Sequence, residues 1–559
     1  MVPDEPFYYT IPQRLLQGDR LFADEWHLSQ LSSLFLLLPF KAFTALNGGA
    51  EGAILFMRLL FVGATLCFYL FYCVSLRAYG PAAAVGAALF CADAFAGIPA
   101  LNYYNLFLHF AATACILLFF SDGRPSFPRL AAAGAALAAA VLCQPGFALA
   151  YAVYSLFALL RVLGRRRGKD RFSAAADALA GRSWLALTAG AAVCAAAVAA
   201  YLLASVGRNV LVSSVPLLFG DSAHGMTVFG SAALRQKLSD CVGHFGLVRI
   251  ALCFVSVAAA AVFRLKKRKS RTGNAAKAAL LCFTLGAFLL CDLTKLETNT
   301  FLYGTAPALF FAAACLLLCE APDARMTAVF FCAVLGSAAT DYFSDVTVLF
   351  GARLAYFPAM YAVFTLLLEL RASWRPPEKK KKAAAERPAP RWLAAAAVVL
   401  AAAALLADTG RLAAQAGYGL AGTLGDPAAV TVDRGPYRGL RFGGEAAQAY
   451  EDTLADLDAL AGDSDGPFYV GAMQPEDYLY LELPIGTFTT YFITGNAGER
   501  QAEYWRLRPE KRPKYVYLPY GEAGRGEEND ARIAFLRSRC DCEVSEGNRG
   551  FLITTANWR

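Results

Sequence analysis

The residues best equipped for chemistry sit at the N-terminal end of the chain. Asp4-Glu5-Pro6-Phe7-Tyr8-Tyr9 is followed by Arg14-Leu15-Leu16-Gln17-Gly18-Asp19 and then by Asp24-Glu25-Trp26-His27-Leu28-Ser29-Gln30. A carboxylate partly buried beside a membrane becomes more basic and can take the proton of a hydroxyl. The same acids also suit a hydrated loop in which Asp4 or Asp24 merely caps a helix. Arg58 lies within the apolar run Glu51–Phe71, about one turn from its end. A guanidinium there either snorkels to the interface or meets an anion such as a phosphate. Arg235 and Lys237 lie near Leu234, Leu238 and Phe245, the pattern of an interfacial amphipathic helix. That helix reads as a lid whose Arg235 touches phosphate, or as an ordinary interfacial helix with a polar rim. His27, His224 and His244 leave a divalent metal open, although their separation carries no ligand signature.

These residues must be positioned by a membrane protein. The chain is 57% hydrophobic and 17% charged, which excludes a string of soluble domains of the same length. Windows of about 17–25 apolar residues, enough to cross about 30 Å of hydrocarbon, predict twelve spans. They fall near 53–78, 81–100, 102–121, 129–144, 146–163, 183–206, 247–263, 278–296, 303–319, 326–343, 350–370 and 392–408. With alternating spans, the basic loops Arg161–Arg182, Arg264–Lys277 and Arg371–Arg391 share one side, which the positive-inside rule makes cytoplasmic. Residues 1–52 and everything past 408 are then extracytoplasmic. The overall charge of +8 is uneven: residues 1–408 carry +14 (36 basic, 22 acidic) and residues 409–559 carry −6 (16 basic, 22 acidic). The basic excess is an orientation signal, and nucleic acid is not an expected partner. Thirteen of the fifteen cysteines lie in the first 408 residues, mostly in apolar runs, where a thiol acts as a small hydrophobe.

Past residue 408 the pattern becomes that of a small α/β unit. Glu445–Ala461 and Asn529–Arg539 are expected helices; Phe468–Met473, Tyr515–Leu518 and Phe551–Thr555 are expected strands. No phosphate-binding glycine signature is present in this tail. Its Tyr478, Tyr480, Tyr491, Tyr504 and Trp505 suit either sugar stacking or the domain's own core. Three regions result: 1–52, a first extracytoplasmic loop with an acidic motif; 53–408, a multispan domain; and 409–559, an extracytoplasmic α/β domain.

The order Asp4-Glu5, Tyr8 and Arg14-x-Leu16-x-Gly18-Asp19 resembles the first extracytoplasmic loop of GT-C glycosyltransferases that use lipid carriers. These include the protein O-mannosyltransferases and the aminoarabinose transferases that modify lipid A. Lys295-Leu296-Glu297-Thr298-Asn299-Thr300-Phe301-Leu302, with Pro307-Ala308-Leu309 downstream, is similar to a Lys-Leu-Pro-Thr-Tyr element of the aminoarabinose branch. Glu297 and two extra residues before the aromatic depart from that element, and Phe7 replaces an Arg common after the acidic pair. Family members carry a transmembrane helix before the acidic pair. This sequence opens Met1-Val2-Pro3-Asp4, so the expectation is a GT-C-like polytopic helical fold with the first family helix missing.

The resemblance implies a transferase that moves a sugar from a polyprenyl-phosphate carrier to a hydroxyl of a glycan, lipid or protein. Asp4 would be the base, with Glu5 beside it positioning acceptor or metal. Lys295 would hold the leaving phosphate, joined on physical grounds by Arg58. Asp24, Glu25, His27 and Arg235 complete the expected substrate-binding set; no cofactor is required beyond a divalent metal left open. The competing readings are a transporter or lipid flippase, which should show internal repeats or mid-membrane ionisable residues, and a non-catalytic scaffold of the same fold.

Overall fold

In the computed structural model the described residues are 4–94, 98–120, 126–166, 182–218, 235–237, 239, 242–243, 245–267, 273–293, 306–342, 350–373, 389–424, 427–462, 465–491, 497–520 and 530–559, with backbone only for residues 4, 157, 161–166, 182, 267, 292, 341–342, 350, 414–424 and 497. The helices before the tail are α1 (Asp4–Leu16), α2 (Leu34–Asn47), α3 (Ala53–Ser75), α4 (Pro81–Ala92), α5 (Tyr103–Phe119), α6 (Phe127–Cys143), α7 (Ala148–Arg166), α8 (Arg182–Ser205) and α9 (Arg208–Leu218). They continue as α10 (Leu247–Lys267), α11 (Gly273–Leu293), α12 (Ala306–Leu318), α13 (Ala324–Tyr342), α14 (Tyr356–Ala372) and α15 (Arg391–Leu424).

Among the described residues seven helices are long and apolar enough to cross a membrane, making this a helical membrane-embedded protein. Six of them coincide with predicted spans, and the other six windows hold shorter apolar helices. On α3 the reason for insertion is visible: Ile54, Met57, Phe61 and Tyr72 are buried against the bundle. Leu59, Val62, Leu66, Leu70 and Val74 on the other face are exposed, an apolar stripe that water would not tolerate. Turns fall where the sequence places them: Gly80, at φ +57, precedes Pro81 at the start of α4, and Pro145 opens a short 3-10 turn before α7.

Small side chains set the closest helix contact. A Cβ on Gly134 of α6 would overlap the Leu187 carbonyl of α8, and one on Gly190 would overlap the Ala131 carbonyl. Away from the tail, Lys277 of α11, completely buried, joins Glu320 (3.0 Å) and Glu369 of α14 (2.9 Å). One of the basic residues read as an orientation signal therefore also ties α11 to α14 and to the turn after α12.

Two boundaries differ from the sequence reading. The break at residue 408 falls inside α15, a helix of 34 residues, roughly 51 Å at 1.5 Å per residue. It outruns a hydrocarbon layer of about 30 Å because its alanine-rich sequence keeps strong helix propensity after its hydropathy falls. Asp408 is buried and pairs with Arg411 one turn on, at 2.8 Å. Residues 1–52 also hold two helices, and Leu28–Asn47 is one of the seven apolar stretches. Both ends of that stretch abut the tail: the Trp26 N–H donates to the Phe488 carbonyl (2.9 Å), and the Ala50 N–H to the Glu482 carboxylate (2.6 Å). So α2 lies along the tail-facing side of the bundle.

The tail comprises β1 (Val430–Thr431), β2 (Arg441–Phe442), α16 (Gly444–Ala461), β3 (Phe468–Val470), α17 (Pro475–Leu481), α18 (Ala497–Leu507), β4 (Tyr515–Pro519), α19 (Ala531–Arg537), β5 (Asp541–Glu546) and β6 (Gly550–Ala556). Its sheet runs β3-β4-β6-β5, with β3 parallel to β4 and the other pairs antiparallel. The expected strands are present; β5, which carries Cys542, was not foreseen because its alternate residues are polar and exposed. Cys540 and Cys542 are free thiols, and α19 begins at the side-chain cap of Asp530. Tyr478, Tyr504 and Trp505 are core residues, which settles their alternative against sugar stacking.

Candidate functional site

The acidic motif begins α1, a helix gripped from two sides. Thr10, Gln13 and Gln17 recur on one face and all bond to the tail. Thr10 Oγ1 lies 2.5 Å from Thr490 Oγ1, Gln13 Nε2 donates to the Tyr478 carbonyl at 2.9 Å, and Gln17 Nε2 donates to the Glu482 carbonyl at 2.9 Å. Gly18, at φ +95, ends the helix in the left-handed conformation that glycine permits. The Asp19 N–H then returns to the Arg14 carbonyl (2.9 Å) and the Gly18 N–H to that of Leu15 (3.3 Å). The Gly-Asp spacing after Arg14 is thus the geometry of a helix stop that folds an acid back onto the arginine.

Arg14 is wholly buried. It donates to Asp19 Oδ2 and Glu25 Oε2, each at 2.9 Å, and to the Tyr504 hydroxyl at 3.3 Å; the Asp24 carbonyl is a further acceptor. Burial works against its charge, yet Glu25 and Asp19 hold its pKa above the ordinary value. Burial raises Glu25 against the pull of Arg14. Lys511 closes on Asp19 and Arg508 on Asp24 (3.3 Å), so the tail completes the network. Asp24, expected to bind substrate, ties the first segment to Arg508 of the tail, and Glu25, expected likewise, pairs with Arg14 inside the first segment, as a buried acid requires.

Glu5 is 2% exposed, and its carboxylate accepts a two-pronged bond from Arg58 of α3: Nε to Oε1 at 2.8 Å and Nη2 to Oε2 at 2.6 Å. Burial raises the Glu5 pKa, with Arg58 opposing it. About a third of the Arg58 side chain stays exposed. The sequence-predicted pairing of this arginine with an anion is therefore met first by Glu5, which anchors α1 to the bundle. The Asp4 side chain and Lys295 lie outside the described residues, as do His224, Asp240 and His244; Arg235 is exposed on a short helical piece. His27 is half-buried in an aromatic box with Phe7 (4.7 Å between centroids), Tyr491 (5.9 Å) and Tyr103 (6.5 Å), and its Nδ1 accepts from the Ser29 N–H. Among the described residues no three of His, Cys, Asp and Glu gather as a metal site.

One feature was missed by sequence reasoning. A cavity of about 200 Å³ opens between α4, α11, α12, α14 and α15; it is apolar throughout except for Tyr356 and Asp408 at one end. Beside that end Arg411 reaches the Tyr356 hydroxyl (3.0 Å) and Asp93 (3.9 Å). Arg353, also buried, bonds Asn105 (3.0 Å) and the Phe90 carbonyl (2.8 Å). Two arginines and two aspartates from distant segments thus balance in charge where the end of α4 and the start of α14 meet the middle of α15. The only sequence signal was a charge in each of several apolar runs, and partners so far apart in the chain cannot be matched by inspection.

No known family model, curated protein or solved structure matches the chain.

Proposed function

We propose that this protein is an integral-membrane glycosyltransferase of GT-C type. In this reading it transfers a sugar from a polyprenyl-phosphate carrier to a hydroxyl acceptor on the extracytoplasmic side, and all twelve apolar windows are spans. The observation that carries the reading is the burial of the Asp4–Glu5 helix between the membrane bundle and the tail, with Glu5 locked to Arg58 at the head of a lipid-facing helix. An acidic motif held at the membrane boundary by a dedicated ion pair is what a base acting on a lipid-borne substrate needs.

In the proposed reaction, Asp4 accepts the proton of the acceptor hydroxyl as its oxygen attacks the anomeric carbon. The bond from that carbon to the carrier phosphate breaks, and its electron pair leaves with the polyprenyl phosphate. Attack opposite the leaving group inverts the anomeric centre. Glu5 is a positioning residue, since both of its oxygens are engaged. The exposed edge of Arg58, and Lys295 by resemblance, are assigned to the phosphate, where permanently protonated donors are required. The apolar cavity below Asp408 has the chemistry to take part of a hydrocarbon chain.

The test is carrier release from a panel of labelled polyprenyl-phosphate sugars, comparing wild type with Asp4→Asn. A fall of about 10²–10⁴-fold is expected for loss of a general base. Equal release by the two proteins would sink the assignment of Asp4. A second reading, a lipid flippase, draws on the buried Asp93, Arg353, Asp408 and Arg411 group; it predicts carrier translocation in liposomes that Asp4→Asn leaves intact.

A further inference from the structure

The cavity between α4, α11, α12, α14 and α15 is elongated, and its two longest walls agree on its shape. Along α14 it runs from Tyr356 to Leu367 and along α15 from Asp408 to Val398, in each case roughly 15–17 Å at 1.5 Å per residue. The Tyr356 hydroxyl donates to Asp408 Oδ1 at 3.3 Å, so both helices bring their polar residue to the same end. Every other side chain that lines the cavity is apolar.

The place of the cavity in the bilayer follows from α15. Its apolar span begins at Arg391, and Asp408 lies roughly 26 Å further along the axis. With Arg391 at one boundary of a hydrocarbon layer of about 30 Å, the polar end lies near the other boundary and the apolar length points inward. The opening is on the lipid side. Val398, 53% exposed, and Ala402, also exposed, line the cavity on the face of α15 that carries the exposed Val399 and Leu406. Bilayer components reach a mouth placed there, and an apolar cavity takes apolar matter in preference to water. A lipid in its ordinary orientation, head at the boundary and chain inward, matches both ends.

The polar end narrows the head group. Asp408 Oδ1 accepts from Arg411 Nη2 (2.8 Å) and Nε (3.1 Å), while the buried Oδ2 has no hydrogen-bond partner among the described residues. Arg411 is already shared between Asp408, Asp93 (3.9 Å) and the Tyr356 hydroxyl (3.0 Å). A phosphate or carboxylate head would therefore meet the Asp408 charge beside a cation that is already neutralised. An ammonium head would add an unbalanced charge to a buried group that is balanced without it. A hydroxyl donates to a carboxylate oxygen and adds no charge.

We propose that this cavity binds an uncharged, alcohol-headed membrane lipid, its hydroxyl donating to Asp408 and its chain lying between α14 and α15. The site shares no residue with the Glu5–Arg58 pair and is independent of the transferase reading. The test is photo-crosslinking in nanodiscs of the full-length protein with diazirine-bearing hexadecanol, hexadecyl phosphate and hexadecylamine, the labelled residues being mapped by mass spectrometry.

The alcohol should label the cavity-lining residues of α14 and α15 at least about fivefold more than either charged probe, the effect of one net hydrogen bond. Ala402→Trp, which fills the mouth from an exposed position, should cut that labelling about fivefold or more, whereas Val399→Trp, lipid-facing but outside the cavity lining, should label as wild type does. In Asp408→Asn the preference should move towards the phosphate; where that variant does not fold, the head-group comparison in wild type decides. Equal labelling by the three probes would mean ordinary bilayer contact only, and would overturn the proposal. So would preference for the phosphate or the amine, absence of labelling, or wild-type labelling in Ala402→Trp. Failure of carrier release with every donor would instead defeat the transferase reading and leave this site standing.

Discussion

At the residue scale the strongest constraints are buried charges. Removing Arg14 strands Asp19 and Glu25 in a site with almost no water, so Arg14→Ala is expected to destabilise by about 3–5 kcal/mol, measured as a lowered thermal midpoint in detergent. Glu476 gives a pH signature. Burial pushes its pKa up to about 7 in the folded protein, above the ordinary value of 4.5. A folded pKa above the unfolded one means that the native state binds more protons between those values. The contribution is therefore full below about pH 4.5 and is lost as pH rises through about 7. Thermal midpoints should fall between pH 5 and 8 more steeply in wild type than in Glu476→Gln. Equal slopes would show that Glu476 is ionised throughout.

At the element scale, α6 and α8 approach through Gly134 and Gly190, where any Cβ meets backbone that cannot yield. Gly190→Ala or Gly134→Ala should separate the helices and lower the thermal midpoint. Gly63→Ala on α3, where a Cβ meets nothing within 4 Å, should not, and serves as the propensity control through its gain of helix preference. Helix α1 is the complementary case. Its residues at 10, 13 and 17 belong to the tail, while Glu5 belongs to the bundle, so it transmits the position of one to the other.

At the scale of the whole molecule, the tail and the first segment form one assembly around Arg14 and must lie on the same side of the membrane. In the proposed orientation, which makes the three basic loops cytoplasmic, a fusion after Arg559 to alkaline phosphatase should be active and the same fusion to a cytoplasm-dependent fluorescent protein dark. A fluorescent C-terminal fusion would reverse the proposed orientation. The Lys511→Glu variant should loosen the tail, read as faster proteolysis between the bundle and β1 with the membrane part intact.

The sequence by itself determined the membrane class, the positions of most helices and the change to an α/β tail, because hydropathy runs and alternation are local properties of the chain. It also marked the first segment, where two acidic pairs, a Trp, a His and two arginines are concentrated before an apolar run. Only the tertiary structure decided what each charge does. Asp24 and Glu25 acquire the partners Arg508 and Arg14, and Arg58 shares its guanidinium between Glu5 and an edge that stays about a third exposed. Asp93 and Arg411 carried no joint signal, because single charges in two separate apolar runs are ordinary in sequence, and their meeting depends on packing between α4 and α15, far apart in the chain.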